Sequence, residues 1–163
     1  MNLSKNMDVN TGKSAAIKVL NDNFIDSPPI LVHELVENYG LSVFVANFED
    51  KGIAGYIDIN KHWIVVNKDD HVSRQNFTIA HELGHWIMHR PNVDTDETIR
   101  IVYRKPIGGE VDPLEIQANA FAAHLLVPDQ LLQKYTDRTE SELAHLFNVS
   151  QSVIGFRRMN LHG

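Results

Sequence analysis

Cysteine is absent from this chain of 163 residues. A disulfide framework and a thiolate zinc site are therefore excluded, and a reducing cytoplasm is the expected compartment. Long apolar runs are absent as well. No stretch approaches the ~20 apolar residues of a membrane span. The opening MNLSKNMDVNTGKSAAIKVL lacks the uninterrupted apolar core of a signal peptide. Nor is there a basic excess: the formal net charge is −6 and the pI near 5.8, which argues against a general nucleic-acid binder. No internal repeat or low-complexity tract occurs. What remains, 43% hydrophobic and 22% charged, is the profile of one globular domain able to bury a core without staples.

Residues 1–24 are polar and are expected to form a frayed or loosely helical N-terminal extension. Gly12-Lys13-Ser14 resembles the end of a phosphate-binding P-loop. That loop needs a glycine five residues earlier, where Met7 stands, so a solvated turn is expected instead. Asp26-Ser27-Pro28-Pro29 predicts a helix start. Val32, Leu35, Val36 and Tyr39 continue it with helical spacing, and Gly40 closes it. From Leu41 to Asn67 the chain turns β-branched and aromatic. Three segments, 41–45, 53–59 and 62–66, predict a small antiparallel meander with a tight link at Asn60-Lys61. A long amphipathic helix follows from about Ser73 to His89, closed by Pro91. Residues 92–111 read as loop with one extended piece, 99–103, broken at Gly108-Gly109. Asp112-Pro113 starts a further helix that Pro128 stops, and two or three short helices complete the chain. The expected class is α+β: a β-meander on a helical core over 25–128, then a helical subdomain over 129–163.

Histidine is in surplus. The chain has nine, and His81, His85 and His89 fall within nine residues. His81-Glu82-Leu83-Gly84-His85 is an H-E-x-x-H sequence. On a helix, positions i and i+4 share a face, so both imidazoles can direct a nitrogen at one ion. Glu82, beside the first, can take a proton from water on the metal without binding the metal itself. Phe77, Ile79, Ala80, Leu83, Trp86 and Ile87 bury this helix on at least one side, and polar groups there are costly without partners. The competing interpretation is a pair of surface histidines on an amphipathic helix.

Catalytic zinc usually takes three protein ligands. The extended pattern H-E-x-x-H-x-x-G-x-x-H is excluded, because Met88 stands at its glycine and Pro91 at its third histidine. His89 lies ~6 Å further along the axis than His85. It is expected behind the ligands or as a cap at the helix end. Glu115 is the better third ligand, projecting from the first turns of the second helix. Ala118, Ala122 and Ala123 would let that helix pack closely on the first. Asp112 and Glu115 also have capping-box-like spacing, and spacing alone leaves ligand and cap equally open. Asn119, one turn on, either orients Glu115 or a ligating histidine, or lies on the helix surface. Tyr103 and Arg104, in the loop between the two ligand segments, are candidate donors to a tetrahedral oxyanion, or are simply exposed.

The segment 141–154 has the pattern of a helix-turn-helix, with a turn at Asn148-Val149 and Ser150 capping the second helix. Gln151, Ser152, Arg157 and Arg158 are the polar residues a DNA-reading version would present. From Lys134 onward, however, four basic residues (Lys134, Arg138, Arg157, Arg158) meet three acidic ones (Asp137, Glu140, Glu142). That balance is meagre against a phosphate backbone. A packing or docking subdomain is the better expectation, with DNA contact through 141–158 the lesser one.

With those residues in place, the chain resembles the ImmA/IrrE family of metallopeptidases. The likeness is carried by residues 74–85 with His89, and by 115–128, EIQANAFAAHLLVP. It covers roughly 25–160. The resemblance implies a gluzincin-like site: one zinc ion on His81, His85 and Glu115, with Glu82 as base. It also implies a bacterial or phage protein that cuts a regulatory partner, often a helix-turn-helix repressor. His124 departs from the family, which often has a charged residue there, and is expected to face solvent. The leading expectation is therefore a zinc-dependent endopeptidase acting on a cytoplasmic regulator. Its competitors are a non-proteolytic anti-repressor and one component of a toxin–antitoxin pair. The intact Glu82 favours the peptidase, since a structural site has no use for a base. Manganese or iron would also suit such an N/O donor set.

Overall fold

The computed structural model describes residues 3–90, 100–104 and 112–161, the strand at 100–104 by its backbone alone. Among these residues seven α-helices and four strands follow one another: α1 (Leu3–Asp22), α2 (Val32–Glu37), β1 (Ser42–Ala46), β2 (Ile53–Asp58), β3 (Trp63–Asn67), α3 (Val72–Met88), β4 (Arg100–Arg104), α4 (Pro113–Leu126), α5 (Asp129–Leu132), α6 (Glu140–Phe147) and α7 (Gln151–Asn160). The class is α+β, as the sequence implies. Among the described residues no helix is long and apolar enough to cross a membrane.

The sheet is mixed, in the order β1-β3-β2-β4. β2 and β3 form the expected antiparallel hairpin, with Tyr56 opposite Val65 and Ile57 opposite Ile64. β1 departs from the expected meander: it pairs with β3, and in parallel, Phe44 against Val65. The 47–52 link is longer than a tight two-residue hairpin loop, which lets β1 and β2 stand apart and admit β3 between them. Burial agrees with that order. Ile64, Val65 and Val66 of the interior strand are buried on both faces, while Ser42, Phe44 and Val45 of the edge strand are exposed. β4 closes the other edge, antiparallel to β2.

One face of the sheet packs on α3, and α4 packs on the far side of α3. Ile57, Ile64 and Val66 from the sheet, Ile79 and Leu83 from α3, and Phe121 and Leu125 from α4 share a single core. Gly84 allows the two helices to meet closely. A Cβ there would stand 2.9 Å from the Phe121 ring.

The N-terminal segment is a regular helix of 20 residues rather than a frayed one. Its most extensive packing is on α4. Gly12 lies inside it, not in a solvated turn, and marks the point where the helices touch. A Cβ on Gly12 would sit 2.3 Å from the Gln117 carbonyl oxygen. Gly12, Ala16 and Val19 form the buried face of α1. A stripe of small residues seats this helix by backbone approach, which is why its polar composition disguised it. α2 also starts later than expected, at Val32, with no side-chain cap at Leu31. Pro28 precedes a proline and is steered out of the α region, and residues 27–29 form a bend instead of opening a helix.

The C-terminal helices follow the sequence closely. Thr139 and Glu142 make a capping box at the start of α6, Asn148 takes the left-handed conformation at its end, and Ser150 caps α7. Arg157, however, points inward. It is fully buried, its Nε donates to the Val127 carbonyl at 3.0 Å, and it pairs with Asp129, which also meets Lys13 at 3.2 Å. This residue therefore offers no charge to a phosphate. His124 is likewise buried rather than solvent-facing, because its Nε2 accepts from Arg157 at 3.2 Å. Burial, reinforced by the Arg157 charge, lowers its pKa to about 4.

Candidate metal centre

Two helices build the site. α3 begins where the His71 side chain accepts from the Ser73 backbone N–H, and α4 where Asp112 Oδ1 accepts from Leu114 N–H at 2.7 Å. They run antiparallel, so residues four apart on one meet residues four apart on the other. His85 Nε2 lies 2.7 Å from Glu115 Oε1, and His81 Nε2 3.1 Å from Glu115 Oε2. The two imidazole Nε2 atoms are 3.1 Å apart. Glu115 is thus turned across to α3 and away from the end of its own helix, which Asp112 caps.

One ligand atom from each of His81, His85 and Glu115 lies within 4.8 Å of the other two, close enough to hold one ion. His81 and His85 are buried; Glu115 is partly open, which leaves a side for solvent or substrate. Burial alone would raise the Glu115 carboxyl, but hydrogen bonds to both histidines outweigh it and hold it below the usual carboxylate range. His81 is lowered by burial, an effect the Glu115 hydrogen bond offsets in part.

Glu82 is completely buried, and neither carboxylate oxygen has a hydrogen-bond partner among the described residues. Burial, with the nearby Glu115 charge second, pushes its pKa well above the ordinary value. A buried carboxyl group without partners is costly. An adjoining ion carrying water would relieve that cost, so the N, N, O donor set and the orphaned carboxylate together fit a metal centre.

Behind these three candidate ligands lie further contacts. His81 Nδ1 meets Asn119 Oδ1 at 2.9 Å, which turns Nε2 inward. His89 does two things at once: its backbone N–H bonds the His85 carbonyl at the helix end, and its Nδ1 meets His85 Nδ1 at 2.7 Å. Burial lowers the His89 pKa. Two further residues had no sequence signal as site residues. Gln117 Oε1 meets His89 Nε2 at 2.9 Å, and Gln117 Nε2 donates to Asp8 Oδ1 at 2.8 Å. Tyr103 and Arg104 belong to strand β4, opposite Gly55 and Ile53, rather than to a loop. Their side chains lie outside the described residues.

An H-E-x-x-H helix closed by a carboxylate from a second helix is the arrangement of a metal-dependent peptidase, and comparison with known proteins agrees. The chain belongs to the peptidase family described as the IrrE N-terminal-like domain, whose model matches residues 36–159. It is similar to the "Uncharacterized immunity region protein 2" of Bacillus phage phi105, with 28% identity over 161 residues, 90% of this chain and 96% of that protein. It is also similar to the metallopeptidase ImmA of Bacillus subtilis strain 168, with 28% identity over 97 residues, 57% of this chain and 54% of that one. A transcriptional regulator from Mycobacterium tuberculosis has a similar fold, with a TM-score of 0.61 at 16% identity; the match covers 88% of this chain and 45% of that one. The chain spans about half the length of these last two proteins.

Proposed function

We propose that this protein is a zinc-dependent endopeptidase of the cytoplasm that cuts a specific regulator, such as a helix-turn-helix repressor. The observation that carries the reading is Glu82: a buried, unpartnered carboxylate beside three converging ligand atoms. A structural metal site would have no use for it. His81, His85 and Glu115 would hold the ion. Zinc, when bound, supplies a Lewis acid for the scissile carbonyl and makes water acidic enough to attack near neutral pH. Glu82 takes the proton from the attacking water and passes it to the leaving amine. Asn119 and His89 keep the two imidazoles from rotating. Tyr103 and Arg104 are the candidates to donate to the oxyanion. The names of the relatives, one an immunity-region protein and one a metallopeptidase, support a regulatory substrate.

The test is cleavage of a candidate repressor, followed by mass spectrometry, for wild type and Glu82→Gln. Glu82→Gln should retain metal while turnover falls by about 10²–10⁴-fold. Normal cleavage by this variant would refute the mechanism. Tight repressor binding with no cleavage by either protein would support an anti-repressor instead.

A further inference from the structure

We infer that Asp8, on α1, determines which nitrogen of His85 is free to bind a metal. This rests on the metal-site reading above. A carboxylate only accepts hydrogen bonds. Facing Asp8 Oδ1 at 2.8 Å, Gln117 must therefore present its NH2 group. Its carbonyl oxygen is then the atom 2.9 Å from His89 Nε2, so that nitrogen must carry the proton. A neutral imidazole has one donor and one acceptor, which makes His89 Nδ1 an acceptor. His85 Nδ1, 2.7 Å away, must donate to it. In a neutral His85 the free lone pair is then on Nε2, the nitrogen that faces Glu115 Oε1 and His81 Nε2. In the metal-free protein an added proton shared by these atoms holds them together, and a bound metal ion would take its place.

Each contact thus dictates the direction of the next, from a carboxylate 109 residues before Gln117 to the ligating nitrogen. Asp8 touches neither metal nor substrate. It is a positioning residue, held in place because α1 lies directly against α4 at Gly12, one helical turn further along.

The chain of donors can be reversed. Asp8→Lys puts a donor where the acceptor stood. Gln117 then turns its carbonyl to the new ammonium and its NH2 to His89 Nε2. His89 Nδ1 becomes the donor, and the proton of His85 moves to Nε2. Adding Gln117→Glu restores the original direction, because a carboxylate accepts from both the ammonium and His89 Nε2.

Two readouts apply to the full-length protein: zinc affinity by competition with a chelator, and imidazole ¹⁵N shifts in the metal-free protein. Asp8→Lys should weaken zinc binding by about 10–100-fold, and the double variant should return to within about threefold of wild type. The wild-type spectra should show His89 protonated at Nε2. Unchanged zinc affinity in Asp8→Lys, no recovery in the double variant, or His89 protonated at Nδ1 in wild type would each overturn the inference. A wild type that binds no zinc would end the metal reading alone. Its ¹⁵N spectra would still decide the proton pattern, as they would if a variant failed to fold.

Discussion

Gly12→Ala should destabilise the protein even though alanine is the better helix former. In an exposed helix the exchange favours alanine by about 0.8–1.0 kcal/mol. Here the new Cβ would lie 2.3 Å from the Gln117 carbonyl oxygen, 2.8 Å from Ala120 Cβ and 2.8 Å from the Phe121 backbone nitrogen. Relaxed contacts of carbon lie at about 3.5–4.0 Å. Two of the three obstacles are backbone atoms, which cannot rotate aside, so α1 must lift from α4 by about 1 Å. Overpacking of this kind costs about 1–3 kcal/mol and occasionally more. The upper end of that range applies, leaving a net loss of about 2 kcal/mol after the propensity gain. Gly155 provides the control. It lies inside α7, and its Cβ would meet nothing nearer than Glu140 Oε1 at 3.7 Å. Gly155→Ala should therefore stabilise by about 0.5–1 kcal/mol. Urea unfolding of the two variants beside wild type gives both numbers. A Gly12→Ala protein as stable as Gly155→Ala would refute the close approach of α1 and α4. Gly12→Ala should also bind zinc less tightly, since lifting α1 withdraws Asp8 from Gln117.

Other perturbations test other parts of the molecule. The purified protein should hold about one zinc ion, lost or loosened in Glu115→Ala; equal affinity in the variant would remove Glu115 from the ligand set. His124 makes stability depend on pH. Its ordinary pKa is 6.5 and its folded value about 4. The unfolded chain binds a proton below 6.5 that the folded chain refuses until about 4. Its contribution is therefore complete above that upper value and is lost as the pH falls through the window, by at most roughly 3 kcal/mol. Unfolding of wild type and His124→Leu at both ends of the window should show the smaller pH dependence in the variant. Equal dependence would show that His124 is not held neutral. Tyr103→Phe should lower turnover if Tyr103 serves the oxyanion, and unchanged turnover would dispose of that role.

Local information carried much of the fold. α3 and α4 follow from helical spacing of apolar residues and from caps that lie in the sequence itself, such as Asp112-Pro113. His81, Glu82 and His85 are brought together by one helical turn, so their grouping needs no tertiary knowledge. The parallel pairing of β1 with β3 was hidden because the turn residues Asn47, Asp50 and Gly52 of the 47–52 link mark a turn without fixing which strand the chain joins beyond it. Gly12-Lys13-Ser14 looked like a break because a glycine reads as a turn unless the helix it touches is known. His124 and Arg157 looked solvated because charge type predicts exposure, and each found its partner 33 residues away. Asp8 and Gln117 were invisible for the same reason, across a larger separation.

The spacing of the two central helices has a consequence for how the site acquires its alignment. His81 faces Asn119 and His85 faces Glu115, equal steps along both helices. A ladder with equal rungs can slip. A slide of one turn, ~6 Å, would set one histidine against the wrong partner while keeping most of the polar contacts chemically plausible. The Phe121 ring prevents it. It is seated over Gly84, and four residues to either side it would meet the side chain of Ala80 or Met88. The notch at Gly84 acts as a key that admits one register only. Alignment of the three converging donor atoms is thus set by an apolar contact that none of them touches.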